Sequence, residues 1–354
     1  MLVGERHYRT IWYDEEVKMV KIIDQRLLPF EFKIESIATM EEMYMAIKEM
    51  HLRGAGLIGA AAAWGLYLSV RHSPQWDQIT SSAAYLAGSR PTAINLQAAL
   101  DLMSKGLKTV GPESRAEEAK YIAQQISDQD ANACRQIGEN GFPLIEAISK
   151  KKNGDTVNIL THCNAGWLAF VDYGSALSPI YEAFNRGLKV HVYVDETRPR
   201  NQGARLTAWE LGQQGIPHTL IVDNAGGHLM QQQKVDMVIV GADRVSKNGD
   251  VANKIGTYLK ALAANDNEVP FYVAFPSTTY DNSIENSLLE IPIEKRNADE
   301  VLFMQGWHQG KEVSFRIAPE NTKALNYGFD ITPARLVSAY ITEKGVSDKP
   351  GTII

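Results

Sequence analysis

The spacing of hydrophobic positions changes near residue 155. Beyond that point, short apolar runs typical of buried strands alternate with stretches at helical spacing. The runs predict strands at 157–161, 188–194, 218–222, 236–240 and 270–275, with helices at about 167–186, 203–214, 225–233 and 251–264 between them. Alternating strands and helices form a parallel sheet covered by helices on both faces. The second half of the chain is therefore predicted to be an α/β domain.

The first half predicts a smaller, mixed α+β domain. Its predicted elements are a hairpin at 9–22, a strand at 31–37, a helix opened by a capping box at Thr39 and Glu42, and helices over 92–151 with breaks near 111–112 and 141–143. The polar stretch at 150–155 predicts a boundary between domains 1–152 and 153–354. Residues 333–343 return to helical spacing, which predicts a closing helix.

Composition narrows the class of protein. A length of 354 residues suggests two domains at roughly 150 residues each. The net charge of −6 disfavours nucleic acid and acidic membranes as partners. No apolar run reaches the ~20 residues of a membrane span, and the first residues lack a signal-peptide pattern. With only Cys134 and Cys163, a disulfide scaffold or four-cysteine zinc site is excluded, so a cytoplasmic protein is expected.

The motif THCNAG at 161–166 is the strongest candidate for chemistry. It follows a predicted strand and opens a predicted helix, whose first N–H groups favour anions and would favour a thiolate at Cys163. A second strand ends in the motif GAD at 241–243. Parallel strands bring Cys163 and Asp243 to the same edge of the sheet. The plainer interpretations are a cysteine buried as a small hydrophobe, and His162 as a hydrogen-bonded core residue rather than a base.

Polar residues follow the other predicted strands as well. The set comprises residues 195–202, Asp223, Asn224, Arg244, Asn253, Lys254 and residues 276–279. Ligands bind at the carboxyl edge of such sheets, so these residues predict a small-molecule site. Asp195 and Glu196 could hold a metal, but arginines at 198 and 200 favour ion pairing instead.

Gly54, Gly56 and Gly59 satisfy the GxGxxG pattern of dinucleotide-binding proteins. That motif requires a preceding strand, whereas a helix is predicted here. A tight turn with close helix packing fits better and leaves Arg53 available to an anion. The sequence contains no GxxxxGK phosphate loop.

Six motifs together resemble the methylthioribose-1-phosphate isomerase family along nearly the whole chain. They are SRPT at 89–92, THCNAG at 161–166, DETRPR at 195–200, QGARLT at 202–207, GADR at 241–244 and NGDVANKIGT at 248–257. The wider superfamily also holds ribose-1,5-bisphosphate isomerases and non-catalytic regulatory subunits of translation initiation factor 2B. The resemblance implies a Rossmann-like C-terminal domain carrying a smaller N-terminal domain, a homodimer, and no cofactor or metal.

By the same resemblance, the protein converts 5-methylthioribose 1-phosphate into 5-methylthioribulose 1-phosphate in methionine salvage. Cys163 and Asp243 would be the catalytic pair. The implied ligands of the sugar and its phosphate are Arg53, Gly54, Ala55, Arg90, Gln202, Asn253 and Lys254. A sugar phosphorylated on its anomeric oxygen cannot open spontaneously to an aldehyde, so an acid must protonate the ring oxygen. A buried Asp243 with a raised pKa suits that task, and Cys163 would exchange the C2 proton or shape a direct hydride shift.

Two departures from the family pattern concern the substrate. Gly56 and Leu57 stand where the family usually has Pro-Ala, and residues 305–314 look like added length. A changed pocket would also fit a sibling that acts on 5-deoxyribose 1-phosphate. The other open hypotheses are a non-catalytic regulatory protein of the same fold and, from the glycine pattern, a nicotinamide-linked oxidoreductase.

Overall fold

The computed structural model describes residues 1–91 and 93–354. Thr92 of the SRPT motif lies outside the described residues. The chain begins with five short strands: β1 (Leu2–Val3), β2 (Arg6–His7), β3 (Ile11–Asp14), β4 (Met19–Ile23) and β5 (Ile34–Ile37). The last three form one antiparallel sheet, with Ile11 opposite Ile22 and Val20 opposite Ile37. The predicted hairpin and third strand are confirmed.

Five helices complete the first half of the chain. They are α1 (Met40–Lys48), α2 (Ala55–His72), α3 (Trp76–Ala87), α4 (Ile94–Leu107) and α5 (Arg115–Lys151). The predicted capping box opens α1: Thr39 Oγ1 accepts from the Glu42 N–H at 3.1 Å, and the Glu42 carboxylate accepts from the Thr39 N–H at 3.2 Å. Helix α2 is buried on nearly every side and forms the centre of this core.

The predicted break at 141–143 is wrong, because α5 runs unbroken through Pro143. Proline removes one helical hydrogen bond, but here its side chain faces the exposed side of the helix, where water can satisfy the freed carbonyl. On the opposite side, Gly138 and Gly141 let the helix approach Ser178 and Pro179 closely. Packing of that face outweighs the local propensity of the proline.

The second half is built on a seven-stranded sheet. Its strands are β6 (Val157–Thr161), β7 (Val190–Asp195), β8 (His218–Ile221), β9 (Met237–Val240), β12 (Phe271–Ala274), β17 (Ala339–Thr342) and β18 (Gly345–Ser347), in the spatial order β18-β17-β12-β9-β6-β7-β8. All neighbours are parallel except the β17–β18 edge. The predicted α/β fold with a Rossmann-like parallel sheet is confirmed. From β6 the chain adds β7 and β8 on one side of the sheet, and then returns to place β9 on the other side of β6. The position between β6 and β9 is therefore the switch point of the sheet.

Shorter elements surround this sheet. The helices are α6 (Ser178–Asn185), α7 (Ala208–Gln213), α8 (Ala225–Gln231), α9 (Thr257–Asp266), α10 (Ser287–Glu290) and α11 (Asp299–Leu302). A second sheet joins β13 (Tyr280–Asp281), β10 (Arg244–Ser246), β11 (Val251–Lys254) and β16 (Phe329–Thr332). The added segment at 305–314 forms a hairpin of β14 (Phe303–His308) and β15 (Lys311–Arg316), whose Trp307 stacks on Phe30 with ring centroids 4.8 Å apart.

Two predicted helices are wrong in type. Residues 251–264 divide into β11 and α9, because Gly256 takes a left-handed φ of 103° that ends the strand before the helix begins. Residues 333–343 form a short 3₁₀ turn followed by β17. The tertiary position decides the second case, since β17 pairs with β12 and buries Tyr340 and Ile341 against the sheet core.

Helix α5 links the two halves. Its first turns pack Ala119 and Ala123 into the N-terminal core, while Ile137 and Ile145 belong to the core under the large sheet. It ends at Lys151, and β6 begins at Val157. The division into domains 1–152 and 153–354 remains a prediction. Among the described residues, no helix is both long and apolar enough to cross a membrane.

Candidate active site

A cavity of about 140 Å³ lies at the carboxyl end of β6 and β9, at the switch point. At roughly 10–15 Å³ per water on this measure, it has room for about ten waters. All nine residues expected from the sequence line it: Arg53, Gly54, Ala55, Arg90, Cys163, Gln202, Asp243, Asn253 and Lys254. The structure therefore brings the whole predicted set together, including the four from the N-terminal half, Arg53, Gly54, Ala55 and Arg90.

Cys163 sits two residues beyond β6 with a left-handed φ of 63°. Its N–H donates to Thr197 Oγ1 at 2.8 Å, and its carbonyl accepts from Thr207 Oγ1 at 2.7 Å. These two bonds fix the backbone on both sides of the thiol, which is only 9% exposed and faces the cavity. The backbone of Cys163 is therefore held by residues that follow β7 rather than by its own strand.

The predicted helix at 167–186 is wrong, and with it the expectation that a helix N-terminus acts on Cys163. Trp167–Ala169 form a single 3₁₀ turn, and α6 starts only at Ser178. Left-handed φ values at Tyr173 and Gly174 interrupt any helix between them. Any electrostatic support of a thiolate must therefore come from the charged side chains around the cavity.

Glu210 organises the loop after Cys163 from inside α7. Its fully buried carboxylate accepts four hydrogen bonds: from the Trp167 and Leu168 N–H groups at 2.7 and 3.0 Å, from Asn164 Nδ2 at 2.8 Å and from the Tyr181 hydroxyl at 2.7 Å. Burial raises the pKa of Glu210, and these donors oppose the rise. This one carboxylate replaces the helical bonds that the loop does not make.

We expect Glu210→Gln to destabilise the fold by about 2–3 kcal/mol, because the amide nitrogen would face donors and leave buried N–H groups unpaired. Urea unfolding of the variant and the parent chain measures the difference. Glu182→Gln is the control, since Glu182 makes only an i,i+4 pair with Arg186 at the surface and should change stability by less than about 0.5 kcal/mol. Equal stability of the Glu210 variant would contradict the role given to it.

Arg53 connects the N-terminal half to the cysteine loop. Its guanidinium donates to Asn164 Oδ1 and to the Asn164 carbonyl, both at 2.6 Å. Gly54 follows with a φ of 103°, and a Cβ there would lie 2.2 Å from the Ala169 carbonyl. Only glycine fits this approach. The glycine pattern thus serves the start of α2, with α1 rather than a strand before it, so the dinucleotide interpretation is wrong in its structural requirement.

Asp243 and Lys254 bring opposite charges to neighbouring positions of the cavity lining. The β10–β11 hairpin sets Asp243 beside Asn253 and Lys254, because the Asp243 N–H donates to the Ala252 carbonyl at 2.9 Å. The Asp243 side chain is exposed to the water of the cavity, yet enough protein lies around it to disfavour its charged form. Burial raises the pKa of Asp243, and the charges of Lys254, Arg53 and Arg90 oppose the rise. Burial likewise lowers the pKa of Lys254, and the charges of Cys163 and Asp243 oppose that shift.

The cavity is positively charged overall. Among its described lining residues, the cations are Arg53, Arg90, Arg200, Arg244, Lys254 and Arg296, against the carboxylates Asp243 and Glu294. Such an excess favours an anionic ligand. Burial lowers the pKa of Arg90, and Glu294, 3.8 Å away, offsets part of that effect.

Glu294 and Arg296 also line the cavity, although no motif in the sequence indicated them. They stand in an irregular segment between α10 and α11, outside the motifs that carry the resemblance. Because the two residues are two positions apart, both side chains lie on the same side of an extended chain. This spacing is a weak signal unless it is known what that side faces. Arg200 was expected among the polar residues at the carboxyl edge of the sheet, and it lines the cavity; its expected ion pair with Asp195 or Glu196 is replaced by one with Glu300 at 2.9 Å.

His162 belongs to a buried cluster behind Cys163. Its Nδ1 lies 2.8 Å from Asp195 Oδ2 and its Nε2 lies 2.9 Å from the Ile255 carbonyl, which supports the interpretation as a hydrogen-bonded core residue. His162, Asp195 and Asp223 place three potential metal-ligand atoms within 4.8 Å. The Lys260 ammonium, however, lies 3.2 Å from Asp195 Oδ2 and also donates to the Asp223 carbonyl. A lysine thus already supplies the positive charge of this cluster.

Gly56, one of the two departures from the family pattern, packs beneath the cavity wall. A Cβ there would lie 2.1 Å from Asp130 Oδ1 and 2.6 Å from the ring of Phe170, which lines the cavity. Asp130 accepts from the Val171 N–H at 2.7 Å. Burial raises the pKa of Asp130 to about 7; the Val171 N–H opposes the rise and the charge of Asp172 adds to it. Glycine at position 56 thus makes room for a carboxyl group that supports the wall.

We expect Asp130→Asn to be more stable than the parent chain at pH 8 and similar at pH 4. The folded-state pKa is raised from 3.8 to about 7, so the favourable contribution of the protonated carboxyl is lost as pH rises through this window. Asparagine keeps an acceptor for Val171 without the charge, so the gain at pH 8 should be about 1–2 kcal/mol, discounted for partial exposure. Thermal unfolding across pH measures it. A difference that does not change with pH would contradict the assignment.

The fold and the site together define a class: a doubly wound α/β protein with a thiol, a carboxyl group and several cations around a cavity for a small anion. The model of the initiation factor 2 subunit family matches residues 36–349 of the chain. The chain belongs to this family.

Its relatives agree with the resemblance found in the motifs. A methylthioribose-1-phosphate isomerase of Brucella anthropi is 55% identical over 349 residues, which cover 98% of this chain and 96% of the relative. The crystal structure of 5-methylthioribose 1-phosphate isomerase from Pyrococcus horikoshii OT3 is 37% identical with a TM-score of 0.86, covering 98% and 94%. The delta subunit of translation initiation factor eIF-2B from A. fulgidus is also 37% identical, with a TM-score of 0.81 and 96% coverage of each chain. The predicted family is confirmed.

Proposed function

We propose that the protein is an aldose–ketose isomerase that converts 5-methylthioribose 1-phosphate into 5-methylthioribulose 1-phosphate in methionine salvage. The observation that carries this proposal is the pair Cys163 and Asp243 on one cationic cavity at the switch point. The relatives named for this reaction, at 55% identity over nearly the full length, support it. The chain keeps a thiol and a carboxyl group where a purely regulatory protein would need neither.

The chemistry assigns roles to the two residues. Asp243 protonates the ring oxygen, which breaks the bond to C1 and opens the furanose. Hydrogen then moves from C2 to C1, either through the Cys163 thiolate as base or as a direct hydride shift past a Cys163 that shapes the site. C2 is oxidised and C1 is reduced, and these two changes cancel. The isomerisation is therefore redox-neutral, and no redox cofactor is required by its stoichiometry.

The remaining predicted residues are proposed to bind the substrate. The cations Arg53, Arg90 and Lys254 suit the phosphate, and the Gly54 and Ala55 backbone begins α2 at the cavity, where unpaired N–H groups favour an anion. Gln202 and Asn253 are each 6% exposed and line the cavity. Within the described residues, Gln202 Oε1 accepts no hydrogen bond, which leaves it free for a substrate hydroxyl.

A second candidate substrate is 5-deoxyribose 1-phosphate. Its motivation is Gly56, which departs from the family pattern directly beneath Phe170 of the cavity wall. The two sugars differ by a methylthiomethyl group against a methyl group, and a difference of this size in an apolar pocket is worth about 1–3 kcal/mol. Both are therefore expected to react, with the methylthio sugar preferred.

Turnover of the two sugar phosphates by the purified protein, followed by ³¹P NMR, tests the proposal. We expect both ketose 1-phosphates to form and kcat/KM to be at least tenfold higher for the methylthio sugar. A higher value for the deoxy sugar would assign the protein to disposal of 5-deoxyribose. If neither sugar reacts in a protein shown to be folded, the regulatory hypothesis suggested by the eIF-2B neighbour replaces the enzyme.

A cytoplasmic homodimer is also proposed, since the resemblance implies it and the reaction serves a cytoplasmic pathway. Sedimentation equilibrium of the full chain tests the assembly. A mass near twice 39.3 kDa is expected, and a monomer at micromolar concentration would contradict it.

A further inference from the structure

Glu294 lines the cavity, and among the described residues one of its carboxylate oxygens accepts no hydrogen bond. Its Oε1 accepts from Arg296 Nη1 at 3.0 Å, and its Oε2 lies 3.8 Å from Arg90 Nη2. Within residues 1–91 and 93–354, the buried Oε2 accepts no hydrogen bond. Because Glu294 also lines the cavity, this oxygen is placed for a ligand atom that donates a proton.

The phosphate is not that ligand. A phosphate group carries only acceptor oxygens when ionised and would be repelled by a carboxylate. Within a phosphorylated sugar, the donors are the ring hydroxyl groups. The Arg90 guanidinium beside Oε2 is meanwhile positioned to hold an anionic group, so Glu294 and Arg90 fit a hydroxyl and a phosphate that lie close together. The 2-hydroxyl neighbours the 1-phosphate in this way.

Proton balance in the proposed reaction requires an acceptor at this hydroxyl. The ring oxygen gains a proton from Asp243, the C2 hydrogen moves to C1, and the O2–H bond breaks as the C2–O double bond forms. The O2 proton must therefore leave to a base. Substrate and product have the same formula, so after turnover the base holds one proton and Asp243 lacks one. Transfer between the two carboxyl groups, which share one cavity, restores the starting state.

We propose that Glu294 is a further catalytic residue, which accepts the hydrogen bond of the substrate 2-hydroxyl through Oε2 and takes its proton as the C2 carbonyl forms. This inference rests on the proposed function. The charge of Glu294 adds to the burial that raises the pKa of Asp243, so the same carboxylate also favours the protonated form of the acid. One residue thereby supports both proton transfers.

Glu294→Gln tests the proton step. The amide oxygen still accepts a hydrogen bond, so the Kd for substrate should change less than about threefold, whereas kcat should fall about 10²–10⁴-fold because the amide cannot take the proton. Glu294→Asp restores a carboxylate one methylene short and should recover at least tenfold in kcat over the glutamine variant. A structural role would instead change stability and binding without this recovery.

Binding of 2-deoxy-5-methylthioribose 1-phosphate tests the contact. By calorimetric titration, loss of the 2-hydroxyl should weaken binding to the parent chain at least fivefold and binding to Glu294→Ala less than twofold.

Glu300→Gln is the matched control for the kinetic experiment. Glu300 binds the same Arg296 at 2.6 Å but does not line the cavity, so kcat should fall less than about threefold.

The outcomes separate this proposal from the proposed function. If the parent chain turns over the sugar and Glu294→Gln keeps kcat within threefold, or if the 2-deoxy penalty is equal in both proteins, the assignment of Glu294 is overturned while the isomerase stands. If the parent chain neither binds nor converts the sugar phosphates, both are overturned together.

Discussion

Asp243→Asn is expected to lower kcat by about 10²–10⁴-fold, the usual contribution of a general acid. The ring oxygen of the sugar leaves C1 as an alkoxide unless it is protonated, and asparagine has no acidic proton to give. Substrate binding should change little, because the amide occupies the same volume beside Lys254. Steady-state kinetics and calorimetric titration measure the two quantities separately. Asp266→Asn is the control, since Asp266 is exposed at the end of α9 and does not line the cavity.

The pH dependence follows from the same residue. Burial raises the pKa of Asp243 above its ordinary value of 3.8, against the opposing charges of Lys254, Arg53 and Arg90. The acid works in its protonated form, so kcat in the parent chain should fall as pH rises through the raised pKa. The Asp243→Asn variant should lack this fall. An unchanged profile in the variant would assign the acid to another group.

The chemistry of the site was readable from the sequence because it depends on strand ends. Cys163 and Asp243 each follow a short apolar run, and the rule that parallel strands share a carboxyl edge brings them together without any knowledge of loops. The resemblance of the motifs to a known family then implied that Arg53 and Arg90, from the N-terminal half, belong to the same site. Their place on the cavity could not follow from strand order, since α2 and the turn before α4 approach the sheet only by tertiary packing.

The predicted helix that is wrong and the site residue that was not predicted have physical causes that local sequence patterns do not contain. Residues 167–186 have helical spacing, but Glu210, more than forty positions away, captures the N–H groups of Trp167 and Leu168. Glu294 reaches the cavity from an irregular segment, and its significance lies in an oxygen that accepts no hydrogen bond from the described residues. Both cases depend on contacts between side chains that are distant in sequence, and the periodicity of hydrophobic positions does not predict such contacts.

Cys163→Ser is expected to lower kcat by at least about 10³-fold if the thiolate is the base, because a serine hydroxyl is far harder to ionise at neutral pH. Burial lowers the pKa of the nearby Lys254, and the charge of Cys163 opposes that shift. Lys254 can stabilise a thiolate but cannot ionise an alcohol. Initial rates with 5-methylthioribose 1-phosphate measure the loss. Cys134→Ala is the control: Cys134 is buried in α5 behind Ala169 and Phe170 and does not itself line the cavity, so this variant should keep kcat within threefold.

Substrate deuterated at C2 then decides what the thiolate does. If Cys163 exchanges the C2 proton, deuterium should be lost to water during turnover, and the ketose should carry little label at C1. Full retention of deuterium at C1 indicates a hydride shift, in which Cys163 shapes or polarises the site, and the serine variant should then lose less than about a hundredfold in kcat. A serine variant with normal kcat would contradict both mechanisms, because the thiol of Cys163, whose backbone Thr197 and Thr207 fix at the cavity, would have no part in the reaction.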